Sequence, residues 1–214
     1  MIVRILRAAK RIIIPVNGIE KVIEPNYGLK TGVGTNIAQP MRLEGKEYIQ
    51  FGENCYMGSQ AWLSAYDSYP YSNQKFTPQI SIGNNVFIGD HCMITSINKI
   101  ILEDGVEISH QVFISDHTHS TMPEENIPIR KRKLITTGYV KIGAYSAIGL
   151  RAVICQGVTL GKYCIVSANS VVTRSFPDYS LVRGNPAILI KTYSHEKKKW
   201  VEPDSSMKLK YCKS

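Results

Sequence analysis

The sequence predicts an all-β chain wound as a parallel β-helix, a triangular prism of six-residue repeats, and three observations predict it. Large apolar residues recur at a spacing of six: Phe51, Met57, Leu63; Ile82, Ile88, Ile94; Leu102, Ile108, Ile114; Ile142, Ile148, Ile154; Leu160, Val166, Val172. The residue after each anchor is mostly small, as at Gly52, Gly58, Gly83, Gly89, Ser109, Ser115, Gly143, Gly149 and Gly161. Four residues after most anchors stands another small or β-branched side chain, such as Cys55, Ala61, Val86, Cys92, Val106, Ala152, Val158 or Cys164. A period of six fits neither the helical 3.6 nor simple strand alternation, and it marks a repeat architecture.

Each hexad reads as one short strand and a tight corner, and three hexads return the chain to its starting face. The anchors point inward and stack on those of the coils above and below, with neighbouring strands about 4.8 Å apart. Small residues after the anchors are expected to permit the backbone geometry of the corner. Residues 1–36 form a basic lead-in, residues 37–177 the prism, and residues 178–214 a closing segment and basic tail. Two excursions break the repeat, near 67–80 and 120–141, and long excursions from a compact repeat commonly carry function. Ile100 and Ile101 are two extra residues, expected as a bulge before Leu102. The tail after Lys191 is expected to be a short helix or without regular structure.

Composition bounds the rest. Of 214 residues, five are cysteines, with no Cys-x-x-Cys pair. Cys55, Cys92 and Cys164 fall in the small-residue slot of a hexad, so they read as packing residues of a reduced, cytoplasmic protein. The net charge of +9 comes from the N-terminus, the run Arg130-Lys131-Arg132-Lys133 and the lysine-rich tail. No DNA-reading motif or basic face interleaved with aromatics accompanies it, so nucleic acid is not the expected partner and a polyanionic small ligand is. No apolar stretch is long enough to span a bilayer, and no small-residue cleavage site marks a signal peptide. Residues 2–13, with Arg4, Arg7, Lys10 and Arg11 set against Ile2, Val3, Ile5 and Leu6, suggest a helical turn or two before Pro15. That segment would pack on the prism or a neighbouring subunit, or touch the inner membrane face.

The chemistry concentrates at Ile114-Ser-Asp-His-Thr-His-Ser120, where a coil ends and the second excursion begins. Histidine suits proton transfer near neutral pH, and a nearby carboxylate can orient it. His117 and His119 with Asp116 therefore form a general-base candidate beside the RKRK loop. The aromatic first excursion (Tyr66, Tyr69, Tyr71, Phe76) could stack on a sugar ring or pack on a neighbour.

The DHTH segment, the run from Val140 to Pro177 and the closing VRGNPAILIK resemble the hexapeptide-repeat acyltransferases over residues 37–191. The likeness is in particular to maltose/galactoside acetyltransferases and bacterial polysaccharide O-acetyltransferases. The resemblance implies a left-handed β-helix and a homotrimer with acetyl-CoA in the clefts between subunits. It also implies direct acetyl transfer to a saccharide hydroxyl, a lipid-linked one included, in cell-surface polysaccharide or lipopolysaccharide synthesis, with no metal. It places the catalytic histidine on His119, with His117 as second choice and Asp116 holding the imidazole. It places cofactor contacts on Leu150 and Ala168 through backbone groups, on Thr173 and Arg174, and on Lys191, with an N–H near Gly149 or Leu150 facing the developing oxyanion. Arg174 stands where the family has lysine, Ala147 where it often has tryptophan, and Ile188 where an arginine is common; RKRK or Arg183 could replace that arginine.

Three other readings remain. An amino-sugar N-acetyltransferase would need the same base. A γ-carbonic-anhydrase-like enzyme would gather three histidines on zinc, and His91, His110, His117 and His119 are enough in number, but that family's His-x4-His spacing is absent. A non-catalytic trimeric scaffold would fail to bind CoA.

Overall fold

A computed structural model describes residues 12–16, 19–23 and 26–212. The chain climbs a three-sided prism, one short strand per face. The first face carries Lys30–Thr31, Ile49–Phe51, Gln79–Ile82, Lys99–Leu102, Val140–Ile142 and Thr159–Leu160, paired in parallel. The third carries Arg42–Glu44, Trp62–Ala65, Met93–Ser96, Phe113–Ser115, Val153–Ile154 and Val171–Val172. The second face begins at Asn36–Ile37 and runs to Ser180–Gly184, after which Ala187–Ser194 and Lys199–Val201 extend it in antiparallel pairing.

Every anchor is buried, and Met57, Leu63, Ile88, Ile94, Leu102, Ile108, Ile114, Ile142 and Ile154 are fully covered. At about 25 cal/mol per Å2 of apolar surface, this column supplies the main drive for coil stacking. A first coil with Thr31 and Leu43 flanking Ile37 precedes the regular pattern. Its threonine in an anchor slot hid it from the six-residue count.

The glycines after the anchors are small for a reason other than the one expected. The left-handed corner position is taken instead by Asn85, His91, Gln111, Arg151 and Asn169, with φ between 54° and 59°. Their N–H groups donate to the corner carbonyl of the coil before, as from Gln111 to Asp90 at 2.9 Å and from Asn169 to Leu150 at 2.8 Å. The glycines instead admit the backbone of the next coil. A Cβ on Gly149 would lie 2.5 Å from the Ala168 nitrogen.

Three further expectations change. Ile100 and Ile101 form no bulge; they lengthen a regular strand, register Gln79↔Lys99 to Ile82↔Leu102. Ile80, Ile100 and Val140 thereby add a second buried column to the first face, all at 0 % exposure. The tail carries the expected short helix, Ser205–Tyr211, capped by the Asp204 carboxylate accepting from Met207 N at 2.9 Å, but a strand hairpin that was not expected precedes it. The expected N-terminal helix lies mostly outside the described residues. Where its end is described, Ile12–Val16 is a strand paired antiparallel with Ile19–Ile23.

Candidate active site

The third face builds the site. Residues before its inward anchors point outward and align by register into one column: Arg42, Trp62, Met93, Phe113. The Trp62 indole is fixed on two sides. Its Nε1–H donates to Ser64 Oγ at 2.6 Å, and the Arg42 guanidinium lies 4.6 Å from the ring centre. Tyr66 and Tyr69 from the first excursion and Leu134 from the second wall this column into a largely apolar pocket of about 430 Å3, which also takes in Thr95, Ser115, His117, Thr118 and His119.

At its edge the chain leaves the prism after Ser115. Asp116 turns inward and is fully buried, and the next coil back satisfies its carboxylate. Ser96 Oγ donates at 2.5 Å, Ile97 N at 3.0 Å and Asn98 N at 3.1 Å. His117 Nδ1 lies 3.0 Å from Asp116 Oδ1, and its side chain is 10 % exposed. A carboxylate only accepts, so Nδ1 carries a hydrogen, and in the neutral ring the lone pair is on Nε2. Burial alone would raise the Asp116 carboxyl, but the hydrogen bonds from His117, Ser96 and Ile97 outweigh it and its pKa is lowered.

Asp116 therefore holds His117, not His119 as the sequence suggested. His119 lies on a short antiparallel pair, Thr118↔Ile135 and His119↔Leu134, with its ring 5.7 Å from that of Tyr69. The first excursion braces this pair. Gln74 exchanges two hydrogen bonds with the Leu134 backbone, Nε2 to O at 2.9 Å and N to Oε1 at 2.8 Å, and the Tyr69 hydroxyl donates to the Arg130 carbonyl. Arg132 folds back, donating to Ile127 O and Met122 O at 3.0 Å each.

The cofactor candidates fall in three places. Gly149, Leu150 and Ala168 lie on the edge between the second and third faces. Thr173 and Arg174 follow the last strand of the third face, on the same edge as Asp116 and two coils further on. Lys191 lies on the second face, opposite Leu181. The first of these edges carries a ladder in which Ser59 N donates to Asp90 Oδ1 at 2.8 Å and Asp90 N to His110 Nδ1 at 2.9 Å. In the later coils Leu150 and Ala168 offer no side-chain acceptor, and among the described residues nothing accepts the N–H of Leu150 or of Ala168. Two outward donors on adjacent coils are what a ligand rich in amide carbonyls or phosphates would meet. Gly149 N–H is committed to Val166 O at 2.8 Å, so Leu150 is the free donor of that pair.

Of the other histidines, His91 and His110 sit on the ladder edge, and within the described residues no three groups gather as a metal set. No helix among them is long and apolar enough to cross a membrane. Burial pushes the Cys92 and Cys164 thiols up to about 11, as suits packing residues. Sequence reasoning missed Arg42, Trp62, Phe113 and Gln74. The first three were visible as residues just before anchors of the same face, whereas Gln74 gave no signal.

The model for the hexapeptide repeat of succinyl-transferase matches residues 79–114 and 139–174. The putative lipopolysaccharide biosynthesis O-acetyl transferase WbbJ of Escherichia coli is 32% identical over 167 residues, covering 75% of this chain and 80% of that protein. The galactoside O-acetyltransferase of Lactococcus lactis is 26% identical over 175 residues, 77% of this chain and 78% of that one. Among solved structures, a point mutant of the Bacillus cereus N-acyltransferase AntD, in complex with dTDP and coenzyme A, superposes with TM-score 0.64 at 20% identity, covering 80% of this chain and 88% of that one. The repeat, the left-handed parallel β-helix and the extent of these matches agree, and the chain belongs to the hexapeptide-repeat acyltransferase family.

Proposed function

We propose that the protein transfers an acetyl group from acetyl-CoA to a hydroxyl of a saccharide, in the assembly of cell-surface polysaccharide or lipopolysaccharide. The observation that carries the reading is the Asp116–His117 pair set at the edge of an aromatic pocket. Acetyl-CoA supplies the activated acetyl thioester; the residues do the rest. Trp62, Phe113, Tyr66 and Tyr69 offer flat apolar walls to a sugar ring. His117 Nε2 takes the proton of the acceptor hydroxyl as its oxygen attacks the thioester carbonyl, and the Asp116 carboxylate balances the charge that arises on the ring. The proton then passes to the sulfur as the C–S bond breaks and the free thiol leaves. The free N–H groups of Leu150 and Ala168 suit the amide carbonyls of the cofactor's arm, with Thr173, Arg174 and Lys191 as candidates for its phosphates. No covalent acyl-enzyme is needed, since direct transfer requires only one base.

His117 and the Leu150–Ala168 edge are separated by the width of the third face within one chain. The reading therefore includes a trimer, in which the ladder edge of one copy faces the pocket of the next. The test is thiol release from acetyl-CoA against a panel of hexopyranosides and amino sugars, with cofactor binding measured by calorimetry. His117→Ala should lower kcat by roughly 10²- to 10⁴-fold and leave acetyl-CoA binding intact. An unchanged rate would remove His117 as the base, and absence of acetyl-CoA binding by the native protein would sink the reading.

A further inference from the structure

The pocket holds two imidazoles, and the reaction above uses one. Their surroundings differ in a way that fixes where each carries its hydrogen. His117 Nδ1 faces a buried carboxylate at 3.0 Å, so its hydrogen is on Nδ1 and Nε2 accepts. His119 Nδ1 is sealed from solvent and is the buried side-chain nitrogen or oxygen that finds no partner among the described residues. Leu134 pairs with His119 across the strand register, and Tyr69 lies against its ring. A hydrogen on that nitrogen would be buried with nothing to accept it, a cost native structures avoid. The proton of His119 therefore belongs on Nε2, which makes no hydrogen bond to the described protein and opens on the pocket.

We infer that the two histidines divide the work by tautomer: His117 accepts through Nε2, and His119 donates its Nε2–H to a second oxygen of the acceptor. The site then selects saccharides that carry a hydroxyl beside the one acetylated, because two imidazoles two residues apart at one pocket edge address a vicinal diol. Most of the other polar groups there are engaged: Arg42 donates to Glu44 at 2.6 Å, Trp62 Nε1–H to Ser64, the Tyr69 hydroxyl to the Arg130 carbonyl, and Thr95 Oγ1 to Ser115 Oγ at 3.2 Å, with the Tyr66 and Thr118 hydroxyls beside them. The tautomer half of the inference stands on the structure alone; the acceptor half rests on the acetyltransferase reading.

Histidine-selective 15N labelling with long-range proton–nitrogen correlation in mildly alkaline buffer reads each tautomer directly, and His117→Gln and His119→Gln assign the signals. The expected spectrum has His117 protonated on Nδ1 and His119 on Nε2. A His119 signal with the proton on Nδ1, or equal populations of both forms, overturns the inference whatever the enzyme acts on. Initial rates with a hexopyranoside that the native protein acetylates give the second arm. His119→Ala should lower kcat/KM for the sugar roughly 10- to 100-fold, with the KM for acetyl-CoA unchanged. His119→Gln, which keeps an N–H donor, should recover most of the loss. Gln no better than Ala would overturn the donor role. Failure of the native protein to acetylate any sugar counts against the acetyltransferase reading, while the spectrum still decides the tautomers.

Discussion

Asp116 is the residue on which the local chemistry turns. Its carboxylate is buried and accepts from four donors, three of them outside the imidazole it orients. Because its pKa is lowered on folding, its contribution to stability is fully present above the usual carboxylate range, near pH 4. It is lost as pH falls through the lower folded value. Asp116→Asn should flatten that acid dependence, measured as the difference in urea unfolding free energy between pH 5 and pH 3. The same variant would offer an amide N–H or a neutral oxygen to His117, and kcat should fall by roughly 10²- to 10⁴-fold. An acid profile unchanged from the native protein would show that another carboxylate sets it. Asp116, His117 and His119 stood out as candidates in the DHTH segment, but their pairing did not, and Arg42, Trp62 and Phe113 were missed. Adjacent side chains can point to opposite sides of an edge, and only the backbone turn after Ser115 decides which imidazole reaches the carboxylate.

At the scale of elements, the two excursions act as one wall. Their contacts span about sixty positions, from Gln74 to Leu134 and from Tyr69 to Arg130. The Gln74 amide serves Leu134 as a strand neighbour would, satisfying both its N–H and its C=O. Removing it leaves both groups without their partner, at about 0.5–1.5 kcal/mol per lost hydrogen bond. Gln74→Ala should speed amide exchange by roughly tenfold or more across residues 118–135, read by mass spectrometry, with little change in exchange from the stacked strands. Equal protection in both proteins would mean that the His119–Leu134 strand pair holds itself. Repeat strands are legible because burial forces an apolar residue at every sixth position. Excursions obey no such period, and neither the Gln74 bridge nor the refolded Arg132 has a sequence signature. The lysine-rich tail was legible in part: its short helix, Ser205–Tyr211, was expected, but the hairpin of Ala187–Ser194 and Lys199–Val201 forms on an edge of the second face, a partner that local composition does not reveal.

For the whole molecule, stacking makes each coil's stability depend on its neighbours, and the six-residue anchors on all three faces were predictable from one chain, whereas the second column of Ile80, Ile100 and Val140 was not. The candidate site is divided differently: His117 lies on one edge and the open N–H donors of Leu150 and Ala168 on another. Sedimentation equilibrium should give a particle of three 24.0 kDa chains. Arg174 lies on the same edge as His117, so refolding His117→Ala chains together with Arg174→Ala chains should restore none of the activity that each lacks alone. Restoration would place the two residues in different half-sites. The proposed threefold arrangement could not be read from periodicity, which reports what a chain buries within itself.

The Gln74–Leu134 bridge also bears on how the protein matures. Coil-to-coil contacts such as Asp90 to His110 or Thr95 to Ser115 join residues about twenty positions apart and can form as the chain is made, but Leu134 is synthesised long after Gln74. Closing a loop of about sixty residues also costs more entropy than closing one of about twenty, so the wall over the histidines can lag behind the stacking of the coils. A chain with its prism stacked and this bridge unmade would already show its strand signature and resist proteases over most of its length while lacking a finished pocket. Folding yield judged by spectroscopy would then overstate the amount of competent enzyme.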